Sequence, residues 1–563
     1  MKNDTMNDTN SLSIAIKDEL QDESIHIQGL HDMDHVGKYQ YMVFSIVSIP
    51  LILSSPFAVG YVFTAGEVNY RCLVPECENS SSAIWNNSWA EYSIPKKNNL
   101  FGSCEHYTVK DDLSGTCSSS SFTEKISKCD TWVYDPIEKT ILNEWDITCD
   151  ENRWKLTLVG TINNVGQLVG LMFAGYLSDK YGRRTLLVGQ TFCTGILGLI
   201  QSFSFNYWMF VAFEFSQSIT AAGIYSTGFI LALEMVGERR RVFSGTIICC
   251  MYAIGEIILG FAAMGFKSWR TIMRIFFAPS LFAICLPFLI PESIRWLIVN
   301  NKHEKVTKIY QKMSKMNGIE ISNKTIGIYK ELNSNNASME KKNESGNNVV
   351  PVRETLSRPK LMIRLIACCL CWLTNTFVYY GLSLNSVAFA GDKYLNFILV
   401  SFVEIPAYFL SWILIDYVGR RFTLSGSFLL SGVFCIGIQF IPHDTWSYAP
   451  LILYMGGKGC ITMAFAAVYV YTAELFPTPV RHFLLSICSM TGRIGSILAP
   501  QTRLLSTIME SLPLILFGTL GVIAGVVSLV FPETLGQKLP DTIAEAENIG
   551  RKTDVNKDSF ASS

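Results

Sequence analysis

The chain is predicted to be an all-α membrane protein of twelve transmembrane helices in two pseudo-symmetric six-helix halves, with a large disulfide-rich loop on one side. Three observations lead there. Of its 563 residues 49% are hydrophobic and only 17% charged, short of the quarter that soluble domains usually carry. The charges are confined to tails and loops between long uncharged runs. Polar motifs also recur in the same order about 240 residues apart, the mark of an internal duplication.

In chain order, residues 1–38 are polar and lack the basic start and apolar core of a cleaved leader. They read as a cytosolic tail. The first apolar run covers about 41–63, and eleven more follow at roughly 154–177, 185–204, 207–232, 243–265, 271–290, 361–385, 395–415, 422–441, 447–473, 483–504 and 512–531. Each approaches the ~20 residues that a bilayer core requires. An even number returns both termini to one side. Short loops on that side carry Lys180, Arg183, Arg184, Arg239, Arg240, Arg241, Arg420, Arg421 and Arg481, whereas the opposite loops hold Lys267, Arg270 and Lys393. The positive-inside rule therefore makes the termini cytosolic. The halves are 39–290 and 361–531, joined by a cytosolic segment 291–360 and followed by a tail, 532–563. Within the joining segment His303–Met316 has helical spacing, and Asn333–Asn348 has the composition of a disordered stretch.

The hydrophilic stretch 64–152 falls outside the cell and holds Cys72, Cys77, Cys104, Cys117, Cys129 and Cys149. Thiols there oxidise, so three disulfides are expected, with fifteen pairings open. No His/Cys spacing supports a metal site. Sequons at Asn79 and Asn86 are expected to carry glycans. Those at Asn3, Asn7, Asn323, Asn336 and Asn343 fall on the cytosolic side and are expected to stay bare.

The organising motif is Gly175–Arg184, GYLSDKYGRR, a polar turn between two apolar runs. It returns as Asp416-Tyr-Val-Gly419-Arg420-Arg421. Glu234 with Arg240 and Arg241 answers to Glu474 with Arg481, and Pro291-Glu292-Ser293 to Pro532-Glu533-Thr534. A stop-transfer signal needs only the arginines. The conserved order of acid, turn glycine and arginine pair in both halves suits a gate instead. Asp179, Gly182, Arg183 and Arg184 would form it in one half, with Gly175 and Gly182 letting helix ends approach, and Asp416, Gly419, Arg420 and Arg421 in the other. Two parallel six-helix repeats are the plan of a secondary transporter.

Charges inside membrane runs are expensive and mark a pathway. Glu256, Glu404, Lys458 and Arg493 lie near the middle of the fifth, eighth, tenth and eleventh runs, and Glu214 in the outer third of the fourth. Trp372, Asn375, Tyr379 and Ser383 share a helical face with Tyr380 beside them. Lys458, Thr462, Phe465, Tyr469 and Thr472 share another, and Tyr225 sits at mid-depth in the fourth run. Aromatic faces with Glu404 suit a quaternary ammonium through cation–π contacts. Arg493 suits a carboxylate, held bidentately, unless it pairs with Glu256 or Glu404 and serves only to hold helices together.

GYLSDKYGRR resembles the signature loop of the major facilitator superfamily. PESIRWL (Pro291–Leu297, with Ile294 where the usual motif has proline) resembles the sugar-porter and organic-ion branches. The six-cysteine loop is similar to that of the organic cation/anion/zwitterion family. Within it, VEIPAYFLSW (Val403–Trp412), VYVYTAELFPTPVR (Val468–Arg481) and GRIGSILAP (Gly492–Pro500) resemble the organic cation/carnitine branch. The resemblance spans all but the tails and the asparagine-rich stretch. It implies a carrier rather than an enzyme; cation-only relatives would have an acid where Arg493 stands, and anion or zwitterion carriers an arginine.

The expectation is a plasma-membrane transporter of organic cations or zwitterions, carnitine-like compounds included, working by alternating access as a monomer. No cofactor is expected, with sodium a candidate coupling ion. The partners are the small substrate and the lipid bilayer, and a net charge of −1 excludes a basic nucleic-acid binder. An organic anion carrier is the first alternative, and a non-transporting receptor using the outer loop the second.

Overall fold

The computed structural model describes residues 37–79, 83–97, 100–101, 104–110, 117–236, 240–318, 357–388, 391–441, 448–537, 539–540 and 542–549. The sequons at Asn3, Asn7, Asn323, Asn336 and Asn343, the stretch Asn333–Asn348, Arg239 and the Arg241 side chain lie outside them.

Helices occupy all twelve expected places: α1 Lys38–Val59, α2 Cys149–Tyr181, α3 Arg183–Gln201, α4 Tyr207–Leu233, α5 Arg241–Phe266, α6 Trp269–Ser280, α7 Pro359–Asn385, α8 in two pieces Lys393–Phe402 and Glu404–Tyr417, α9 Arg420–Gly437, α10 Ala449–Leu475, α11 Thr478–Leu498 and α12 Leu512–Ser528. Among the described residues nine spans are long and apolar enough to cross a membrane. The helices that fall short are α3, α4 and α12. Buried polar side chains (Thr194 and Gln201 on α3, Glu214 and Gln217 on α4) lower the hydropathy of the first two, and α12 has only 17 residues. Sequence periodicity underestimates α2, whose 33 residues would extend ~50 Å at 1.5 Å each, so its polar ends stand beyond the bilayer.

Packing repeats with the motifs. In the first half α1 lies on α5, α2 on α4, and α3 on α4 and α6; in the second, α7 lies on α11, α8 on α10, and α9 on α10 and α12. Every pair has its counterpart six helices on. The halves meet along α2–α11 and α5–α8. Helix α8 breaks at Val403 because Pro406, lacking an N–H, cannot bond the carbonyl four residues back. The break puts Glu404 at the start of a new helical segment, in the middle of the bundle.

The loop 64–152 is stapled by Cys72–Cys129, Cys77–Cys117 and Cys104–Cys149. Two short antiparallel pairs, Tyr70–Cys72 with Trp132–Tyr134 and Glu105–Val109 with Phe122–Lys128, give it shape. A buried ion pair, Arg71–Glu78 at 2.5 Å, fills its interior. Asn79 and Asn86 are exposed. Glu144 ties the loop to Trp269 and Arg270 at the start of α6.

The side of the molecule that carries this loop is closed. Phe63 stacks on Tyr394 and meets Phe397 edge-on at 5.0 Å. Glu138 of the loop accepts from Tyr394 at 2.8 Å and pairs with Lys393. Gln501 donates to Thr161 at 2.7 Å. Among the described residues, hydrogen bonds crossing between the halves run from the bundle centre to this loop face, whereas at the termini face Asp179 is 73% exposed and Asp416 is exposed. Toward the termini the halves still touch where Phe243 of α5 meets Trp412 of α8 at 5.5 Å, without a hydrogen bond between them there among the described residues.

Candidate functional site

The repeated motifs build twin networks at the termini face. Between α2 and α3, Gly182 adopts φ +99°, open to glycine at little cost, and a Cβ there would collide with the Glu292 carboxylate. Glu292 accepts the Arg184 N–H at 2.9 Å, a carboxylate at the N-terminus of α3 where the helix dipole favours it. Arg183 pairs with Asp179 at 2.9 Å and approaches Glu234 at 3.6 Å, and Ser293 donates to Glu234. In the second half Gly419 has φ +103°. Glu533 accepts from the Arg420 and Arg421 N–H groups at 2.9 and 3.1 Å, Arg420 pairs with Glu474 at 3.2 Å, and Thr534 donates to Glu474 at 2.6 Å.

Both networks lie within a half. Asp179 meets its own loop arginine, and Arg184 and Arg421 cap carbonyls of Pro287 and Leu529. Arg481 binds the Phe476 carbonyl at 3.2 Å rather than Glu474, and Arg240 is exposed at the start of α5. Gly175 has open space beside it, so the expectation that it permits close helix approach does not hold: it sits on the outer face of α2, and only Gly182 is sterically required. The glutamates Glu292 and Glu533, read in the sequence only as part of a repeat, are the groups that hold each turn.

At the bundle centre α5, α7, α8 and α10 bring together Glu256, Tyr379, Glu404 and Lys458. Both carboxylates and the ammonium are fully buried. Lys458 Nζ lies 2.9 Å from Glu404 Oε1 and 2.7 Å from Ser383 Oγ, and stands 3.3 Å from the centre of the Tyr379 ring. Tyr379 donates to Glu404 at 2.7 Å. The acid and aromatic face expected for a ligand cation are thus engaged by the protein's own lysine. Glu256 is left over. Among the described residues neither of its oxygens makes a hydrogen bond of good geometry; its polar neighbours are Glu404, Lys458 and Ser401. Two dry carboxylates sharing one ammonium would carry an excess negative charge, which a low-dielectric site offsets with a further cation or with a proton held between the acids.

Arg493 on α11 is half-buried. Among the described residues it makes no ion pair; its Nη1 donates to Gln167 Oε1 of α2 at 3.2 Å. Aromatic rings line the space between. Tyr225 meets Tyr252 edge-on at 5.6 Å, Trp372 meets Tyr469 at 4.3 Å, Phe465 joins Tyr469 to Tyr379, and Tyr380 lies against Tyr379. Trp372 is oriented by an N–H bond to Thr472 at 2.9 Å. Tyr252 is within electrostatic reach of Glu256, Glu404, Tyr380 and Arg493 together.

The chain matches the family model described as "Sugar (and other) transporter" over residues 116–544. It is 31% identical over 542 residues to mouse solute carrier family 22 member 4, covering 93% of this chain and 95% of that one. It is 32% identical over 519 residues to human organic cation/carnitine transporter 2, covering 90% and 91%. This chain belongs to solute carrier family 22. An organic cation transporter protein of Drosophila melanogaster is 30% identical over 527 residues, covering 92% and 93%. The xylose transporter of E. coli, in a partially occluded inward-open conformation, superposes with a TM-score of 0.58 at 14% identity, covering 89% of this chain and all of that one. That likeness is one of fold, the major facilitator fold.

This family member is therefore a multi-pass membrane transporter and not an enzyme. Of the residues singled out in the sequence, Trp372, Tyr379, Tyr380, Glu404, Lys458 and Tyr469 are joined by ring and ion-pair contacts, Glu256 lies beside Glu404 and Lys458, Tyr225 lies against Tyr252, and Arg493 against Gln167. Tyr252 and Gln167 escaped the sequence signals, and Asn375 was read only as sharing the Trp372 face. Tyr252 lies one helical turn before Glu256 on the same face, and that spacing was a readable signal. Asn375 is fully buried with both amide atoms unpartnered. Gln167 carried no signal, because its role depends on α11 reaching α2.

Proposed function

We propose that this carrier moves organic cations or zwitterions, carnitine-like quaternary ammonium compounds among them, across the plasma membrane by alternating access. The loop face lies outside the cell and both termini inside, and closure of the loop face is then closure toward the outside. The observation that carries the reading is the pairing of opposites among the aromatic rings: among the described residues Glu256 has no cation of its own, sharing Lys458 with Glu404, and Arg493 has an amide but no carboxylate. A quaternary nitrogen offsets the excess charge of the Glu256–Glu404–Lys458 cluster against the rings of Tyr252 and Tyr380. A substrate carboxylate takes the Arg493 fork. A purely anionic cargo fits less well, because it would add charge beside an unpaired carboxylate. The twin termini-face networks supply the gate, each half holding its turn rigid while the halves rock. The carrier works as a monomer, with sodium as a coupling ion.

The test is uptake by expressing cells of carnitine and of a carboxylate-free quaternary ammonium of similar size. Arg493→Ala should raise half-saturation for the zwitterion more than tenfold, because stripping one partner from a charge-assisted pair costs ~2–5 kcal/mol. The simple ammonium should be largely spared. Glu256→Gln should impair both. Equal losses for the two substrates in Arg493→Ala would reduce that arginine to a structural group.

A further inference from the structure

Toward the loop face of the first half lies a second buried acid that the substrate site does not use. Glu214 on α4 is 5% exposed and, among the described residues, meets neither lysine nor arginine. Three side-chain amides surround it. Asn163 donates at 2.6 Å, Gln201 at 2.5 Å and Gln217 at 3.3 Å. The amide oxygens of Gln201 and Gln217, side chains 0% and 1% exposed, are themselves buried without a partner. Amide nitrogen and oxygen exchange places by a half-turn of the side chain, so either glutamine can present oxygen at the point where it now presents N–H. A small cavity opens beside the carboxylate, bordered by Glu214, Gln217, Phe57, Tyr61, Leu259 and Phe277. One carboxylate, two adjustable amide oxygens and a dry, mostly apolar wall make the oxygen-rich setting that a hard monovalent cation prefers to water.

The cage is also wired to the substrate site. Arg493 donates to the Gln167 carbonyl at 3.2 Å, Gln167 donates to the Asn163 carbonyl at 2.7 Å, and Asn163 donates to Glu214 at 2.6 Å. All three bonds point the same way, from the guanidinium in one half to the carboxylate in the other. Such a chain polarises cooperatively, and an anionic acceptor at the end favours its direction, although the Asn163 amide also donates to the Phe57 carbonyl at 3.1 Å.

We propose that Glu214 binds the coupling ion, a monovalent cation (sodium or a proton), and that its occupancy is reported to Arg493 through Asn163 and Gln167. With Glu214 uncompensated the relay holds Arg493 against α2. A cation on Glu214 turns the amides toward itself, the relay loses its acceptor, and Arg493 is released to a substrate carboxylate. Coupling of this kind is reciprocal, so the cation tightens zwitterion binding and the zwitterion tightens cation binding by the same factor. The coupling half of this inference rests on the substrate reading given for Arg493; the cation site does not. The other titratable and charged groups near the cage are Tyr61, in the short helix after α1 and in contact with Asn164, Arg503 beside Tyr61 and bonded to the Leu384 carbonyl, Arg270 of α6, paired with Glu144, and Arg274 of α6, bonded to Ser202. Their partners leave Glu214 as the group that a cation must satisfy.

The experiment uses the purified full-length protein in lipid nanodiscs and reads its thermal midpoint. One arm exchanges potassium for sodium at constant ionic strength. The other varies pH without sodium. Ligand binding to the folded state raises the midpoint. Stabilisation by sodium in the wild type that is absent in Glu214→Gln assigns sodium. A pH dependence that Glu214→Gln removes, without a sodium response, assigns the proton. Glu214→Asp keeps the charge at shorter reach, should fold, and should weaken the response several-fold rather than abolish it. Gln167→Leu should keep the cation response while losing any effect of the cation on zwitterion affinity. If the wild type and both Glu214 variants respond identically in both arms, Glu214 is a static acceptor and the proposal fails. If the cation response depends on Glu214 while no zwitterion shifts the wild-type midpoint, the substrate reading fails and the cation site stands.

Discussion

Removing the Lys458 ammonium should destabilise the protein more than its single ion pair suggests. At 2.9 Å, and with an effective dielectric near 20, the attraction to Glu404 is about 6 kcal/mol, set against the desolvation of both charges. Lys458→Met leaves Glu404 and Glu256 facing each other with no cation, in a place where neither touches water. Breaking a buried pair in this way typically costs ~3–5 kcal/mol. Adding Glu404→Gln removes one of the two stranded charges and their mutual repulsion, and keeps an acceptor for the Tyr379 hydroxyl. The double variant should therefore be more stable than Lys458→Met alone, with an interaction energy of ~1–3 kcal/mol in the cycle. The assay is the thermal midpoint of the four proteins in nanodiscs, beside their abundance at the cell surface. Strict additivity, with the double variant losing the sum of both singles, would refute the claim that these groups form one electrostatic unit.

The turn at Gly182 should resist substitution. Gly182→Ala meets both a left-handed backbone and the Glu292 carboxylate, a strain of ~1–3 kcal/mol, and should lower surface abundance clearly, whereas Gly175→Ala, with open space around it, should match the wild type by immunoblot of the surface fraction. At the loop face, Lys393→Ala frees Glu138 and weakens the closure there. In a Phe63→Cys background, labelling by an impermeant thiol reagent added from the loop side should speed several-fold as the outward-open population grows. An unchanged rate would show that the Lys393–Glu138 pair does not hold that face shut.

How far the sequence reached depended on the range of the interaction. Twelve helices, their two-fold repeat and the sidedness of the basic loops follow from local properties: hydropathy over some twenty residues, motif order and charge counting. The three helices that fall short were still legible by position: the polar residues of α3 and α4 point inward rather than at lipid, and α12 is apolar but short. The mid-depth charges were legible for the same reason, because a charge in an apolar run must be answered by something. What answers it was not legible. Glu404 and Lys458 stand 54 residues apart, and only the packing of α8 against α10 puts the lysine on the acid and on the Tyr379 ring, leaving Glu256 as the unpartnered one. The choice among fifteen disulfide pairings was likewise tertiary, since any two of six cysteines are chemically equivalent until the loop folds. So was the relay from Arg493 to Glu214. Gln167 and Asn163 lie on one face of α2 with nothing in their local sequence to mark them, and they acquire a role only where α2, α4 and α11 converge, because a hydrogen bond depends on ångström positions that hydropathy and periodicity do not encode.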